Sequence, residues 1–191
     1  MGKSVRKKND MSIPLDEIGE SGYHLSCTKN IAWITDVLQE AGETGFSVSD
    51  DVGILVDVFR TGDGFEMRGI ITTTVAMGCV RCLGNFTIPF KTEFHYSLCS
   101  SDEMDAGQDM EVHKDDLDVL PYKGNVIDLI PLIGEQIIVN LPANPICQES
   151  CKGICQQCGA NLNRASCQCD KSERRGSAFE VLKDFQVKQK P

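Results

Sequence analysis

The chain has 191 residues, of which 41% are hydrophobic and 25% charged, and its net charge is −9. This composition is typical of a folded protein and excludes a largely disordered chain, and no apolar run reaches the roughly 20 residues of a membrane-spanning helix. The negative charge is concentrated between residues 11 and 146, because the segments before and after that range are both net basic. We therefore expect any contact with nucleic acid at the two ends or through a partner protein.

Residues 1–10 predict a disordered basic tail, and they contain no apolar stretch of the kind found in a secretory signal. A cytoplasmic location is therefore expected, and Met1 and Met11 both remain open as the start of translation. An edge strand is predicted around Pro14, where apolar residues alternate with polar ones. From residue 31 the apolar positions recur at helical spacing as far as Gly42, which predicts a short amphipathic helix.

Three further segments alternate apolar and polar residues, at 52–60, 65–75 and 86–96. Turn-forming residues separate them, so an antiparallel meander is expected. An acidic stretch at 100–118 predicts a solvated connection. The apolar run that follows predicts a core helix near 128–140, with Pro131 in its first turn. The predicted class is α+β, with an antiparallel sheet that could close into a barrel-like form, a core helix, and a C-terminal zinc-knuckle module.

Six of the ten cysteines lie between residues 147 and 169. Within that segment Cys155 and Cys158 form a C-x-x-C-G motif, in which the two-residue spacing lets both sulfurs reach one ion and Gly159 permits a left-handed turn. Disulfides are disfavoured because no secretory signal precedes the domain, and the spacing differs from that of common iron–sulfur motifs. The pattern favours structural zinc.

A second C-x-x-C motif, at Cys79 and Cys82, lies between two predicted strands. A redox-active dithiol normally sits at a helix N-terminus, where the helix dipole lowers the thiol pKa. A metal knuckle at the tip of a hairpin fits this position better than a redox pair or two idle thiols. Cys27 and Cys99 have no partner at metal-binding spacing and are expected to be ordinary thiols.

Eight cysteines are thus candidate metal ligands: Cys79, Cys82, Cys147, Cys151, Cys155, Cys158, Cys167 and Cys169. The six in the tail suffice for one zinc ion centred on Cys155 and Cys158. A second ion would need Cys79 and Cys82 together with two more sulfurs. The predicted core helix ends just before the cysteine-rich tail, so the tail can fold back towards these two cysteines. One zinc ion is expected and two are compatible with the count, while the pairing stays open.

The chain resembles the YceD family of large ribosomal RNA subunit accumulation proteins. The resemblance is carried by Cys79-Val-Arg-Cys82-Leu83, by Ile127-Asp128-Leu129 with Glu135-Gln136-Ile137, by Leu141-Pro142 through Cys147, and by Cys151 through Asn163 closing on Cys167-Gln-Cys169. It implies a cytoplasmic factor needed for accumulation or processing of 23S ribosomal RNA. It supplies no catalytic residues, and some family members keep the central C-x-x-C motif while lacking the cysteine-rich tail.

We therefore expect a non-catalytic factor in large-subunit biogenesis, with ribosomal RNA or a large-subunit ribosomal protein as its partner and no membrane or small-molecule ligand. Candidate contact residues for that partner are Lys152, Arg164, Lys171, Arg174 and Arg175. A thiol redox protein and a zinc-dependent structural or interaction protein are the alternatives. The three histidines are scattered and offer no catalytic arrangement.

This interpretation divides the chain into four parts. They are a tail at 1–10, an α+β domain at 11–146, a cysteine-rich module at 147–170 and a charged segment at 171–191.

Overall fold

The computed structural model describes residues 11–40, 42, 45–62, 64–101 and 119–169. Eight strands and two α-helices are assigned in this part of the chain, with a short 3₁₀ helix at Leu15–Glu17. In chain order the strands and helices are β1 (Ser12–Pro14), β2 (Tyr23–Lys29), α1 (Ile31–Glu40), β3 (Phe46–Val48), β4 (Val52–Thr61), β5 (Gly64–Gly78), β6 (Asn85–Ser100), β7 (Val119–Tyr122), β8 (Val126–Asp128) and α2 (Leu129–Val139).

Most strands belong to one six-stranded sheet with the order β2-β4-β5-β6-β7, and β3 pairs with the distal half of β5. All of its pairings are antiparallel except β6 with β7, which is parallel. The α+β class is confirmed in that helices accompany a mainly antiparallel sheet. The barrel-like closure is wrong, because β2 and β7 do not pair with each other among the described residues and the sheet stays open.

The three predicted strands are present, and each is longer than predicted, β4 by one residue and β5 and β6 by several. In β4 the alternation buries Val52, Ile54, Val56 and Val58 on one side. Strands β5 and β6 pair along nearly their whole length, from Phe65 opposite Leu98 to Gly78 opposite Asn85. This hairpin ends in residues 79–84, so the first C-x-x-C motif lies at its tip, as predicted.

The core helix α2 begins directly after Asp128, whose side chain accepts a hydrogen bond from the backbone N–H of Ile130 at 3.0 Å. Pro131 lies in its first turn, where a missing N–H costs nothing. Buried residues of α2, α1 and the inner face of the sheet form one hydrophobic core. The Gln136 side chain also donates to the Tyr96 hydroxyl at 2.6 Å, which ties α2 to β6.

Strands β2, β3, β7 and β8 were not predicted, whereas β1 corresponds to the predicted edge strand around Pro14. β1 pairs with β8 in a separate two-stranded sheet, which confirms extended structure beside Pro14 and places it against the residues before α2. β3 and β7 have three and four residues, too few for an alternation to be recognised. Residues 1–10 and 171–191 and nearly all of the acidic stretch lie outside the described residues, so the four-part division stays a prediction.

Candidate metal centre

The turn at the tip of the β5–β6 hairpin, residues 79–84, is termed the hairpin knuckle. The backbone N–H of Cys79 donates to the carbonyl of Gly84, and the N–H of Leu83 donates back to the carbonyl of Cys79, both at 2.9 Å. Leu83 has a φ of 57°, in the left-handed region. A leucine pays about 1–2 kcal/mol for that conformation, because its Cβ approaches the following carbonyl oxygen.

Residues 155–160, termed the tail knuckle, repeat this turn. Cys155 N–H donates to the carbonyl of Ala160 at 2.8 Å, and Gly159 N–H donates to the carbonyl of Cys155 at 2.9 Å. Gly159 has a φ of 73° and occupies the slot that Leu83 fills in the hairpin knuckle. The left-handed glycine predicted from the C-x-x-C-G pattern is therefore present. In both turns the hydrogen bonds fold the backbone so that two cysteines project to the same side.

The hairpin knuckle is completed by two cysteines from the start of the tail. Cys79, Cys82, Cys147 and Cys151 form the hairpin cluster, in which all four sulfurs lie within 4.8 Å of one another. The Sγ–Sγ distance is 3.8 Å from Cys79 to Cys151 and 3.7 Å from Cys82 to Cys147. A disulfide needs about 2.05 Å. Four sulfurs placed about 2.3 Å from a central ion in a tetrahedron lie about 3.8 Å apart.

Hydrogen bonds between hairpin and tail hold the hairpin cluster in place. Val80 N–H donates to the carbonyl of Pro145 at 2.9 Å, and the Asn161 side chain donates to the carbonyl of Cys82 at 3.2 Å. Gly153, with a φ of 74°, lies against Arg81, whose carbonyl oxygen would be 3.1 Å from a Cβ at that position. The tail therefore packs closely on the knuckle before it turns away.

Asn163 contacts the hairpin cluster itself. Its side-chain amide donates to the sulfur of Cys151 at 3.3 Å, and its side-chain oxygen accepts from the N–H of Lys152 at 2.8 Å. Such a contact orients a ligand and offsets part of its negative charge. Sequence reasoning gave no role to Asn161 or Asn163. Their Asn-x-Asn spacing, directly after the tail knuckle, is typical of a side-chain turn and was the only available signal.

A second group, the tail cluster, consists of Cys155, Cys158, Cys167 and Cys169, and its sulfurs also lie within 4.8 Å of one another. It differs from the hairpin cluster in exposure. Cys79, Cys82 and Cys151 are 1%, 7% and 6% exposed, whereas Cys158 is exposed and the other three tail ligands are half-buried. The tail cluster closes only a local loop of the chain.

The thiol pKa values reflect how each sulfur is surrounded. Burial alone would raise the pKa of Cys79, but backbone N–H groups donating to its sulfur outweigh it and lower that pKa to about 6. Burial and neighbouring sulfurs raise the pKa of Cys147 to about 12. In the tail cluster, backbone N–H groups of Cys158 and Gln157 lower the pKa of Cys155 to about 6, while a hydrogen bond with Cys158 raises that of Cys169 to about 12. Each cluster thus contains one sulfur whose thiolate form is stabilised by backbone N–H groups.

Four sulfur ligands without carboxylate or imidazole suit a soft or borderline ion in tetrahedral coordination and exclude Mg²⁺ and Ca²⁺, which prefer oxygen. The short sulfur–sulfur distances fit a single ion, because an iron–sulfur cluster with its own sulfides would spread the cysteines further apart. The structure therefore brings all eight predicted cysteines into two groups, each positioned to hold one metal ion. Cys27 and Cys99 lie outside both groups, as expected.

The remaining candidate residues are distributed as follows. Lys152 and Arg164 are exposed close to the hairpin cluster, while Lys171, Arg174 and Arg175 lie outside the described residues. Two histidines lie on the sheet beside carboxylates, with His24 Nδ1 2.7 Å from Asp57 and His95 Nε2 3.6 Å from Glu66. His113 lies outside the described residues. Within the described part of the chain, no helix is long and apolar enough to cross a membrane.

Comparison with known proteins points to one family. The family model for the large ribosomal RNA subunit accumulation protein YceD matches residues 67–186, a range that contains both cysteine clusters. The chain is 28% identical over 171 residues to a protein of Arabidopsis thaliana named large ribosomal RNA subunit accumulation protein YCED homolog 1, chloroplastic, covering 73% of this chain and 53% of that protein. A Zea mays protein of the same name is 28% identical over 149 residues, covering 66% and 51%.

An uncharacterised protein of Mycobacterium tuberculosis is 27% identical over 123 residues, covering 60% of this chain and 55% of that protein. The chain thus spans about half the length of the curated relatives it matches. No solved structure matches it. Since the family model covers well over half of the residues, including the sheet hairpin and both knuckles, the chain belongs to the YceD family of large ribosomal RNA subunit accumulation proteins.

Proposed function

We propose that this protein is a non-catalytic factor in biogenesis of the large ribosomal subunit, and that it supports accumulation or processing of 23S ribosomal RNA through a zinc-binding module. Membership of the YceD family and the names of the two plant relatives support the ribosomal part of the proposal. We place its action in the cytoplasm, in contact with ribosomal RNA or a large-subunit protein. The plant relatives are named as chloroplastic, so in those proteins the corresponding place is an organelle.

The observation that carries the zinc-binding part is the pair of four-cysteine clusters. Zinc prefers tetrahedral thiolate coordination, and a site closed by four protein ligands leaves no open position for a substrate. A bound ion in the hairpin cluster would cross-link the β5–β6 hairpin to the tail, and one in the tail cluster would fix a loop that has too few apolar residues for a core of its own. In both clusters the ion would have a structural role, since it would hold the hairpin and the tail in the shape that binds the partner.

The main alternative, a thiol redox protein using Cys79 and Cys82, has less support. The lowered pKa of Cys79 is typical of reactive thiols. However, Cys79 is only 1% exposed and its sulfur is surrounded by three other cysteines, so a disulfide in another protein could not reach it without opening the cluster. The motif also joins two strands instead of beginning a helix.

Two measurements test the proposal. Elemental analysis of freshly purified protein should give close to two zinc ions per chain, one for each cluster, with little iron. Cells that lack the gene should accumulate 23S precursors, and wild-type protein should restore mature 23S ribosomal RNA. A variant with Cys82→Ser and Cys158→Ser should fail to restore it, whereas Cys27→Ser, which alters a thiol outside both clusters, should succeed. Normal 23S processing without the gene would refute the function, and metal-free protein would refute the zinc module.

A further inference from the structure

The left-handed backbone conformation and the exposed side chain of Leu83 are not explained by the stability of the fold. Leu83 is the only non-glycine residue with a positive φ in the described part of the chain, and its counterpart in the tail knuckle is a glycine, which adopts that conformation without strain. The leucine gains no compensating burial, because its side chain is 70% exposed. A strained residue whose side chain points into solvent indicates that the side chain serves a contact outside the fold.

Two other exposed apolar residues lie at this end of the hairpin. Val80, in the same turn, is 52% exposed, and its N–H is bonded to the carbonyl of Pro145, which brings the half-exposed Ile146 beside it. Val80, Leu83 and Ile146 are termed the knuckle tip. The turn beneath them is fixed by the hydrogen bonds of the hairpin knuckle and by the hairpin cluster. The knuckle tip is therefore a rigid apolar projection, for which little conformational entropy is lost on binding.

Basic side chains border this projection. Arg81 lies in the knuckle itself, and its guanidinium donates to the carbonyl of Glu149 at 3.4 Å. Lys152 and Arg164 are exposed on the tail segments that Asn163 joins, since Asn163 bonds the N–H of Lys152 and directly precedes Arg164. Loaded thiolate clusters would add negative charge, but three of the four hairpin cysteines are buried and the sulfur of Cys151 accepts a hydrogen bond from Asn163, whereas the three basic residues are exposed.

We infer that the knuckle tip and its three basic neighbours contact a single-stranded segment of RNA. Leu83 and Val80 would pack against an unpaired base, while Arg81, Lys152 and Arg164 lie near backbone phosphates. Apolar side chains are used in this way where bases are unstacked, and single-stranded segments are where proteins usually read RNA. This inference deepens the proposed function and rests on it for the choice of ribosomal RNA as the biological source.

Charge favours RNA over the other partners. The net negative charge of residues 11–146 would repel a long duplex, so contact is confined to a projection that can reach one strand. A basic ribosomal protein would be repelled by the three cations beside the knuckle tip. The combination of an apolar projection and flanking cations on an otherwise acidic protein fits a short unpaired RNA segment best.

The test uses the zinc-loaded full chain and a fluorescein-labelled, unstructured RNA of about 12 nucleotides, with the same sequence in a duplex for comparison. Leu83→Gly removes the apolar side chain and relieves the backbone strain. We expect its affinity for the single strand to fall on the order of tenfold, the effect of leaving one large apolar contact unmade. Its melting temperature should be unchanged or higher. Leu55→Ser, at an exposed leucine on the sheet, is the matched control and should bind as wild type.

The basic residues are tested by salt dependence. Three phosphate contacts predict that log K falls with log salt with a slope of about −2 for a single strand, at roughly 0.7 per contact. The triple variant Arg81→Gln, Lys152→Gln, Arg164→Gln should flatten that slope while keeping its zinc. Lys91→Gln, an exposed lysine of β6, should leave the slope unchanged.

Wild-type affinity in Leu83→Gly, absence of binding by the wild type, or an equal loss in Leu55→Ser would each overturn the inference. Loss of 23S accumulation in cells carrying Leu83→Gly without a loss of RNA affinity would also overturn it, and would assign the knuckle tip to a protein partner. The RNA-binding measurements do not depend on whether gene loss impairs 23S processing, so the inference and the proposed function can fail separately.

Discussion

The two clusters each consist of four cysteines and each contain a knuckle turn of the same form, yet they connect different parts of the chain. In the hairpin cluster, the sulfurs of Cys79 and Cys151 are 3.8 Å apart although 72 residues separate them in the chain. The tail cluster draws all of its ligands from residues 155–169. A cross-link between distant segments restricts the unfolded chain more than a local one does. The hairpin cluster therefore attaches the tail to the sheet, whereas the tail cluster shapes only itself.

The largest expected change in zinc content and stability comes from replacing one cysteine ligand, first in one cluster and then in the other. Cys151→Ser should lose one zinc ion and detach the tail, which costs on the order of 5 kcal/mol or more because metal binding and docking are one equilibrium. Hydrogen exchange should then become fast at the amides of Val80 and Leu162, which donate to Pro145 and Gly153. Amides of β4 should stay protected, since the hydrophobic core does not include the cluster.

Cys158→Ser is the matched variant in the tail cluster. It should also lose one zinc ion, but exchange should accelerate at Gly159, whose N–H donates to Cys155, and not at Val80. Continued protection of Val80 in Cys151→Ser would show that the tail stays docked without its metal, and the proposed difference between the clusters would not hold.

Zinc release should be biphasic, because the two clusters differ in exposure. A chelator can reach the tail cluster at Cys158, which is exposed, while three ligands of the hairpin cluster are buried. The first ion should therefore leave well before the second when a chromogenic chelator is added in excess. Cys158→Ser should abolish the fast phase and keep the slow one. A single phase containing both ions would mean that the clusters open together.

A smaller effect is expected at two glycines with nearly the same φ, 74° at Gly153 and 73° at Gly159. Alanine at either position should cost about 1 kcal/mol for the left-handed backbone. Gly153→Ala should cost roughly 1 kcal/mol more, because its Cβ would lie 3.1 Å from the carbonyl oxygen of Arg81, whereas nothing lies within 4 Å at Gly159. Denaturant titration monitored through the tail amides measures the difference. An equal loss of stability in the two variants would imply that the tail does not pack closely against the hairpin knuckle at Gly153.

The parts of the fold that sequence could predict are those with a strong local period. The alternation in β4, β5 and β6 and the apolar run of α2 were sufficient, because one face of each element must be buried. The parallel pairing of β7 with β6 and the pairing of β1 with β8 depend on contacts between distant segments. The open edges of the sheet could not be predicted either, since alternation gives the face of a strand but not its neighbour.

The candidate site shows the same division. The spacing of Cys155 and Cys158 predicted that they share a site, because a two-residue gap limits the distance between sulfurs. Which tail cysteines join Cys79 and Cys82 was open, and Cys147 and Cys151 do so because the carbonyl of Pro145 bonds to Val80 and aligns the chain. The left-handed Leu83 was invisible in the sequence, where C-x-x-C-L gives no sign of strain.

The smallest expected effect concerns His24, whose pKa shows whether the structure of the sheet changes when a cysteine cluster loses its metal. Its hydrogen bond to Asp57, at 2.7 Å, raises its pKa above 6.5. The pair therefore favours the folded state at pH values below 6.5, and that contribution is lost as pH rises through the folded pKa. A proton NMR titration of the ring should place the midpoint above 6.5 in wild type and closer to it in Asp57→Asn. Cys151→Ser should keep the wild-type midpoint, because β2 and β4 hold this pair in register, with His24 opposite Asp57, without help from the metal. A midpoint that moved in Cys151→Ser would show that the sheet changes when the tail is released, and the two regions would then be coupled.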